Sequence, residues 1–239
     1  MNILYEDKDI IVCHKPAGIA TQTAKIGQRD MVSEVMNYLA ASDTNKSKSY
    51  VGLIHRLDQP VEGILVFAKN PKAAGKLSRQ MAENQMQKRY YAVVSAEKIG
   101  QEGVPDTKRG TLVDYLYKDG KTNTSSVVDK EHKDSKRAEL SYEVIGIQRE
   151  KGIALVRIHL LTGRHHQIRV QMSHAGMSLL GDYKYGDEKT KKLSEQLGQK
   201  QIALCAYELG FMHPVTGKNL MFQVEPVSIK LTEFSKIKI

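Results

Sequence analysis

The chain has 239 residues, 41% apolar and 26% charged, enough to bury a sizeable core and ordinary for a soluble globular protein. Its 36 Lys and Arg outnumber its 27 Asp and Glu, and the formal net charge of +9 favours a polyanionic partner without identifying one. No run reaches the roughly 18 to 20 apolar residues of a bilayer span, the acidic start lacks a signal-peptide pattern, and Cys13 and Cys205 form no metal or redox motif, so a cytoplasmic protein with two buried free thiols is expected.

Two apolar runs, Ile3-Leu4-Tyr5 and Ile10-Ile11-Val12-Cys13, flank the polar turn Glu6-Asp7-Lys8-Asp9 and predict a β-hairpin ended by Lys15-Pro16-Ala17-Gly18. Met31, Val35, Met36 and Leu39 have helical spacing within 30–41, and a polar loop, 42–49, follows. Residues 62–68 read as a strand. Asn70 then serves as N-cap and Pro71 as first helical residue of a helix to about Gln85, with Ala74, Leu77 and Met81 as its apolar stripe. Strands are expected at 88–95, 110–117, 138–147 and 153–161, with a loop over 97–109. Segment 118–137 is polar and charged throughout, which predicts a flexible surface excursion. Residues 164–175 look helical, with Thr162 near the N-cap. A Lys-rich polar stretch follows over 182–200, and strands at 202–211 and 219–224 close the chain around the turn 213–218. There is no internal repeat. Strands outnumber helices and short turns join many of them, so the expected class is α+β with a largely antiparallel sheet.

Three stretches combine reactive side chains with apolar flanks: His55-Arg56-Leu57-Asp58, Lys88-Arg89-Tyr90-Tyr91-Ala92, and Thr162 to Val170. Asp58, just before Gln59-Pro60, is a good turn former and also a candidate carboxylate, and local chemistry leaves both open. In a helical 164–170, His165 and Arg169 would share a face at i, i+4; that segment could equally be a solvated basic helix. Five of the eight histidines (His55, His159, His165, His166, His174) lie near these stretches, but without H-E-x-x-H or a cysteine partner zinc is not indicated. A Gly-x-Ser-x-Gly elbow is absent as well.

Taken together and in order, the three stretches resemble the RluA-type pseudouridine synthase family. The resemblance rests on HRLDQPVEGILVFAK at 55–69, Lys88-x-Tyr90-x-Ala92, Thr162-Gly163-Arg164-His165-His166-Gln167-Ile168-Arg169 and Gly181-Asp182-x-x-Tyr185-Gly186, and spans about residues 4 to 225. The chain departs from the usual pattern at Gln59-Pro60-Val61-Glu62, where most members read Arg-x-Thr-Ser, and at His165, where they carry Thr. No segment resembling the S4 RNA-binding domain of many relatives precedes the first hairpin, so one catalytic domain over 1–239 is expected.

The resemblance implies the pseudouridine synthase fold, a mixed, largely antiparallel bent sheet with flanking helices and a central cleft. It implies isomerisation of uridine to pseudouridine in structured ribosomal or transfer RNA by a monomer that needs no cofactor and no metal. Asp58 is then the catalytic carboxylate and Arg169 its ionic partner, which would lower the carboxylate pKa by about 1 to 3 units. Tyr90 lies against the target base and Ile168 packs on its other side. Arg56 helps flip the base out of its stack, while Lys88, Arg89 and Arg164 contact phosphates. A catalytically inactive RNA-binding or ribosome-assembly protein is the competing class, motivated by the charge and by the altered loop after Asp58. A metal-dependent hydrolase is third.

Overall fold

The computed structural model describes residues 1–24, 27–42, 50–97, 99, 109–229 and 234. In chain order the elements are β1 (Asn2–Glu6), β2 (Ile10–Lys15), α1 (Met31–Ser42), β3 (Gly52–Leu53), β4 (Glu62–Ala68), α2 (Pro71–Ala82) and β5 (Gln87–Ser95). They continue with β6 (Arg109–Asp119), β7 (Thr124–Val128), β8 (Lys136–Gln148), β9 (Ile153–Leu160), α3 (Gln167–His174), α4 (Glu188–Gln196), β10 (Leu204–Met212) and β11 (Asn219–Gln223). The α+β class and the antiparallel pairing expected from sequence are borne out. The chain divides into two compact units, Met1–Lys88 with Ala206–Glu225, and Arg89–Cys205 with Pro226–Ile239.

In the first unit, β1, β2 and β4 pair antiparallel, β10 lies beside β4, and β11 pairs β10. Every residue of β4 is buried, which explains its unbroken apolar run. Ile10, Val12, Ile64, Val66, Leu209 and Phe211 form a core with Ala73 and Leu77 of α2. Asn70 caps α2 as expected, its side chain accepting the Ala73 N–H at 2.9 Å. The buried stripe of α2 is Ala73, Leu77 and Gln80, rotated from the predicted Ala74-Leu77-Met81. Gln80 is on the inner face because its amide bonds both the N–H and the C=O of Met212, at 2.9 and 2.8 Å. Gly63 holds φ +141°, and a β-carbon there would stand 2.4 Å from Ala206 Cβ, so the strand needs glycine at that point.

In the second unit β5, β9, β8, β6 and β7 pair antiparallel in that order. Segment 118–137 is not a loose excursion: β6 and β7 form a hairpin across it, with Asp119↔Thr124 closing the turn and Asn123 in left-handed backbone at φ 52°. Its polarity reflects exposed strand faces, while Ser125 is buried inward. The helix after Gly163 is also shorter than expected. It begins at Gln167, and His166 at φ 52° precedes it in left-handed backbone. His165 and Arg169 therefore do not share a helix face, and Thr162 is not the cap. Residues 167–172 are all buried, which excludes a solvated basic helix. The polar 182–200 stretch contains α4, capped by Asp187. The expected loops at 42–49 and 97–109 lie largely outside the described residues.

Candidate active site

In the first unit, the His55–Asp58 segment is stapled to the segment after β2. Thr21 Oγ1 donates to Leu57 O at 2.8 Å and accepts the Leu57 N–H at 3.1 Å. Gly18 N–H donates to Gln59 O at 2.8 Å, and Gln59 Nε2 returns a bond to Gly18 O at 3.0 Å. Lys15 is fully buried, and its ammonium spends its three donors on the carbonyls of Pro16, Ile19 and Gln59, at 3.0, 2.7 and 3.1 Å. The Lys-Pro-Ala-Gly stretch is thus a clamp on the chain around Asp58. Burial pulls the Lys15 pKa down to about 8, against the opposing pull of Asp58 and Glu62. Asp58 is half-buried, and its carbonyl accepts the Val61 N–H at 3.0 Å, so it opens a turn as well as offering a carboxylate.

The unusual Glu62 is 2% exposed and lies 3.9 Å from His14 Nε2. It supplies negative charge beside the buried Lys15, which gives part of the Gln59–Glu62 departure a physical reason. Arg56 is exposed and donates to Gln22 Oε1 at 2.7 Å, facing solvent as an RNA contact would require. His55 is buried and accepts the Val66 N–H through Nε2 at 3.3 Å. Burial, reinforced by Lys88, holds its pKa at about 4, so it is a neutral structural residue. Lys88 is only 5% exposed, and burial lowers its pKa. So little exposure does not suit a surface phosphate contact.

In the second unit, α3 carries Ile168 and Arg169, 5% and 7% exposed, and Tyr90 of β5 is 7% exposed. Arg169 forks onto Asp182, Nε to Oδ2 at 2.8 Å and Nη2 to Oδ1 at 2.7 Å. Asp182 also accepts the N–H groups of Lys184 and Tyr185, so the Gly181–Gly186 motif folds around this one carboxylate. The Arg169 guanidinium stands over the Tyr185 ring, 4.9 Å from its centre. Sequence reasoning names neither Asp182 nor Tyr185 as a site residue; a bidentate partner for a buried arginine is the signal that could have found them. Arg164 is exposed, with Nε bonded to Arg137 O at 2.9 Å. Arg89 lines a groove of about 680 Å³ with Arg109, Arg157 and His159.

Among the described residues, Asp7, Asp9 and His213 bring ligand-type atoms within 4.8 Å of one another. Their hydrogen bonds oppose a metal reading. His213 Nδ1 accepts the N–H groups of Val215 and Thr216, so its proton sits on Nε2 and is given to Asp7 Oδ2 at 2.8 Å. Asp7 is further saturated by the Tyr5 hydroxyl and the N–H groups of Asp9 and Ile10.

The family model described as RNA pseudouridylate synthase matches residues 9–174, and the chain belongs to the RluA-type RNA pseudouridine synthases, enzymes that isomerise uridine in RNA. It is 34% identical over 227 residues to YlyB of Bacillus subtilis, an uncharacterized RNA pseudouridine synthase, covering 93% of this chain and 68% of that one. It is 32% identical to the ribosomal large subunit pseudouridine synthase D of Zymomonas mobilis, covering 94% and 69%, and 29% identical to tRNA pseudouridine synthase C of Haemophilus ducreyi, covering 90% and 87%. The solved human RNA pseudouridylate synthase domain containing 4 shares the fold, with a TM-score of 0.73 at 24% identity over 100% of this chain and 94% of that one.

Proposed function

We propose that this chain isomerises uridine in ribosomal or transfer RNA with Asp58 as the catalytic carboxylate, acting as a metal-free monomeric catalytic domain in the cytoplasm. The observation that carries the assignment is the half-buried Asp58 turn, clamped through Lys15, in a chain whose relatives bear synthase names for both RNA classes. Arg169 and Tyr90 act with Asp58, Ile168 supports the target base, and Arg56 and Arg164 meet the RNA. The target uridine must leave its stack, at a cost of a few kcal/mol. Its N1–C1′ bond breaks, the base turns, and C5 joins C1′, with the C5 proton released and N1 taking up one.

Release of tritium from RNA labelled at uridine C5 tests this directly. Asp58→Ala and Asp58→Asn should each lower release by about 10⁴-fold or more, the scale of removing an essential catalytic group, while RNA binding persists. Absence of release from every cellular RNA fraction by the wild-type chain would sink the assignment and favour a non-catalytic RNA-binding protein. Elemental analysis showing stoichiometric metal would overturn the metal-free part.

A further inference from the structure

His165 is the position at which Thr162–Arg169 departs from its family pattern, and the structure gives it a distinct set of neighbours. Its ring stacks on His166 with centres 3.7 Å apart and planes 26° from parallel. Its Nδ1 lies 2.8 Å from Ser125 Oγ, on β7. Ser125 also gives its backbone N–H to Tyr185 Oη at 2.9 Å. The Tyr185 hydroxyl also shares a hydrogen bond with His166 Nδ1, 2.6 Å away. A further tie runs from Lys184 Nζ to Asn123 O in the hairpin turn, at 2.8 Å. Beneath these polar ties Leu116, Ala138 and Val170 form a small apolar seat, joined by Val127 and Tyr185.

The β6–β7 hairpin is therefore fastened at Ser125 to the two loops that flank Arg169. Two bonds from this one residue end on His165 and on Tyr185, and Tyr185 is the ring under the Arg169 guanidinium. Hairpin and following turn present Lys118, Lys121, Lys130 and Lys133 to solvent. Ser125 in the strand and Asn123 in the turn, the latter held by Lys184 Nζ, are the polar points that set where these charges stand.

We propose that His165 is a specificity-determining residue: by fixing Ser125 it sets where the β6–β7 hairpin stands relative to Arg169, and the hairpin lysines then select RNAs whose phosphate backbone runs alongside the target uridine. The inference rests on the uridine-isomerase assignment for its kinetic arm and on RNA binding alone for its other arm. His165→Ala removes the bond to Ser125. His165→Asn keeps an acceptor close to the place of Nδ1, and Ser125→Ala removes the other partner.

The measurements are Kd for folded total ribosomal and transfer RNA and for a short unstructured uridine-containing oligonucleotide, kcat from tritium release, and amide exchange over 124–128. His165→Ala and Ser125→Ala should weaken binding of the folded RNAs about tenfold, the scale of one lost hydrogen bond. Oligonucleotide binding and kcat should stay within about twofold, and exchange over 124–128 should accelerate in both variants. His165→Asn should recover most of the affinity and the protection. Faster exchange with unchanged Kd for folded RNA overturns the proposal, as does equal weakening on both RNA types or a fall in kcat alone. If wild-type chain releases no tritium, the isomerase assignment fails, and the binding and exchange arms still decide the role of His165.

Discussion

Lys15 shows most clearly how one side chain can define a site it does not enter. A fully buried ammonium with all three donors on carbonyls ties the strand end at 15 to the loops at 19 and 59. Lys15→Met would remove a donor from each of those carbonyls and strip Asp58 and Glu62 of their buried countercharge. It should cost about 3 to 5 kcal/mol, the scale of breaking one side of a buried ion pair, readable as a shift in denaturant midpoint. The double variant Lys15→Met with Glu62→Gln should lose less than the sum of the single effects, because the remaining charge is removed together with its partner. The role proposed for Asp58 is legible only through its combination with two distant motifs. That of Asp182 was not legible, since an Asp after Gly reads locally as a turn, and only tertiary packing brings it beneath Arg169.

At the scale of elements, caps and alternating patterns carried the prediction well. Asn70-Pro71 marked the start of α2, and Asn70→Ala should destabilise the fold by about 1 to 2 kcal/mol, since the lost side chain also donates to Asp9 Oδ1 at 2.9 Å. The β6–β7 hairpin is masked in the sequence by its polar composition, although Asp119-Gly120 is a turn signal. The start of α3 was misplaced because His166 adopts a left-handed conformation, which sequence assigns more readily to Gly or Asn. Docking of the hairpin also gives a pH dependence. Burial comes first, then the positive charges of Lys118, Lys184 and Arg169, and together these hold His165 at about 4 and His166 at about 3, with His165 also opposing protonation of His166. Both values lie below the unfolded value near 6.5. The unfolded chain therefore binds more protons in between, and this contribution to stability is full above about 6.5 and is lost as pH falls through the folded values. Urea titrations at pH 7 and pH 4.5 should show wild type losing more stability than His165→Ala over that interval.

For the whole molecule, the +9 charge predicts RNA affinity governed by counterion release. Affinity should fall about a hundredfold or more between 50 and 200 mM salt if several phosphates are contacted. Arg164→Ala should reduce the logarithmic salt slope by about one and weaken all RNAs alike, as a phosphate contact would. Filter binding across a salt series measures both. Lys88→Ala should leave the slope unchanged, because its ammonium is buried.

The first unit is built from two separated stretches of the chain, Met1–Lys88 and Ala206–Glu225, and β10 lies directly beside β4. A ribosome making this protein therefore delivers β4 more than a hundred residues before the strand that covers its edge. During that interval the nascent chain carries a strand with the apolar run Ile64–Ala68 and one open edge, the kind of surface that chaperones hold and that aggregates when they do not. The segment that completes the second unit's sheet emerges earlier, so translation order favours finishing the α3 side first. A stop codon just after Lys88 would release not a smaller working unit but a strand permanently waiting for its neighbour.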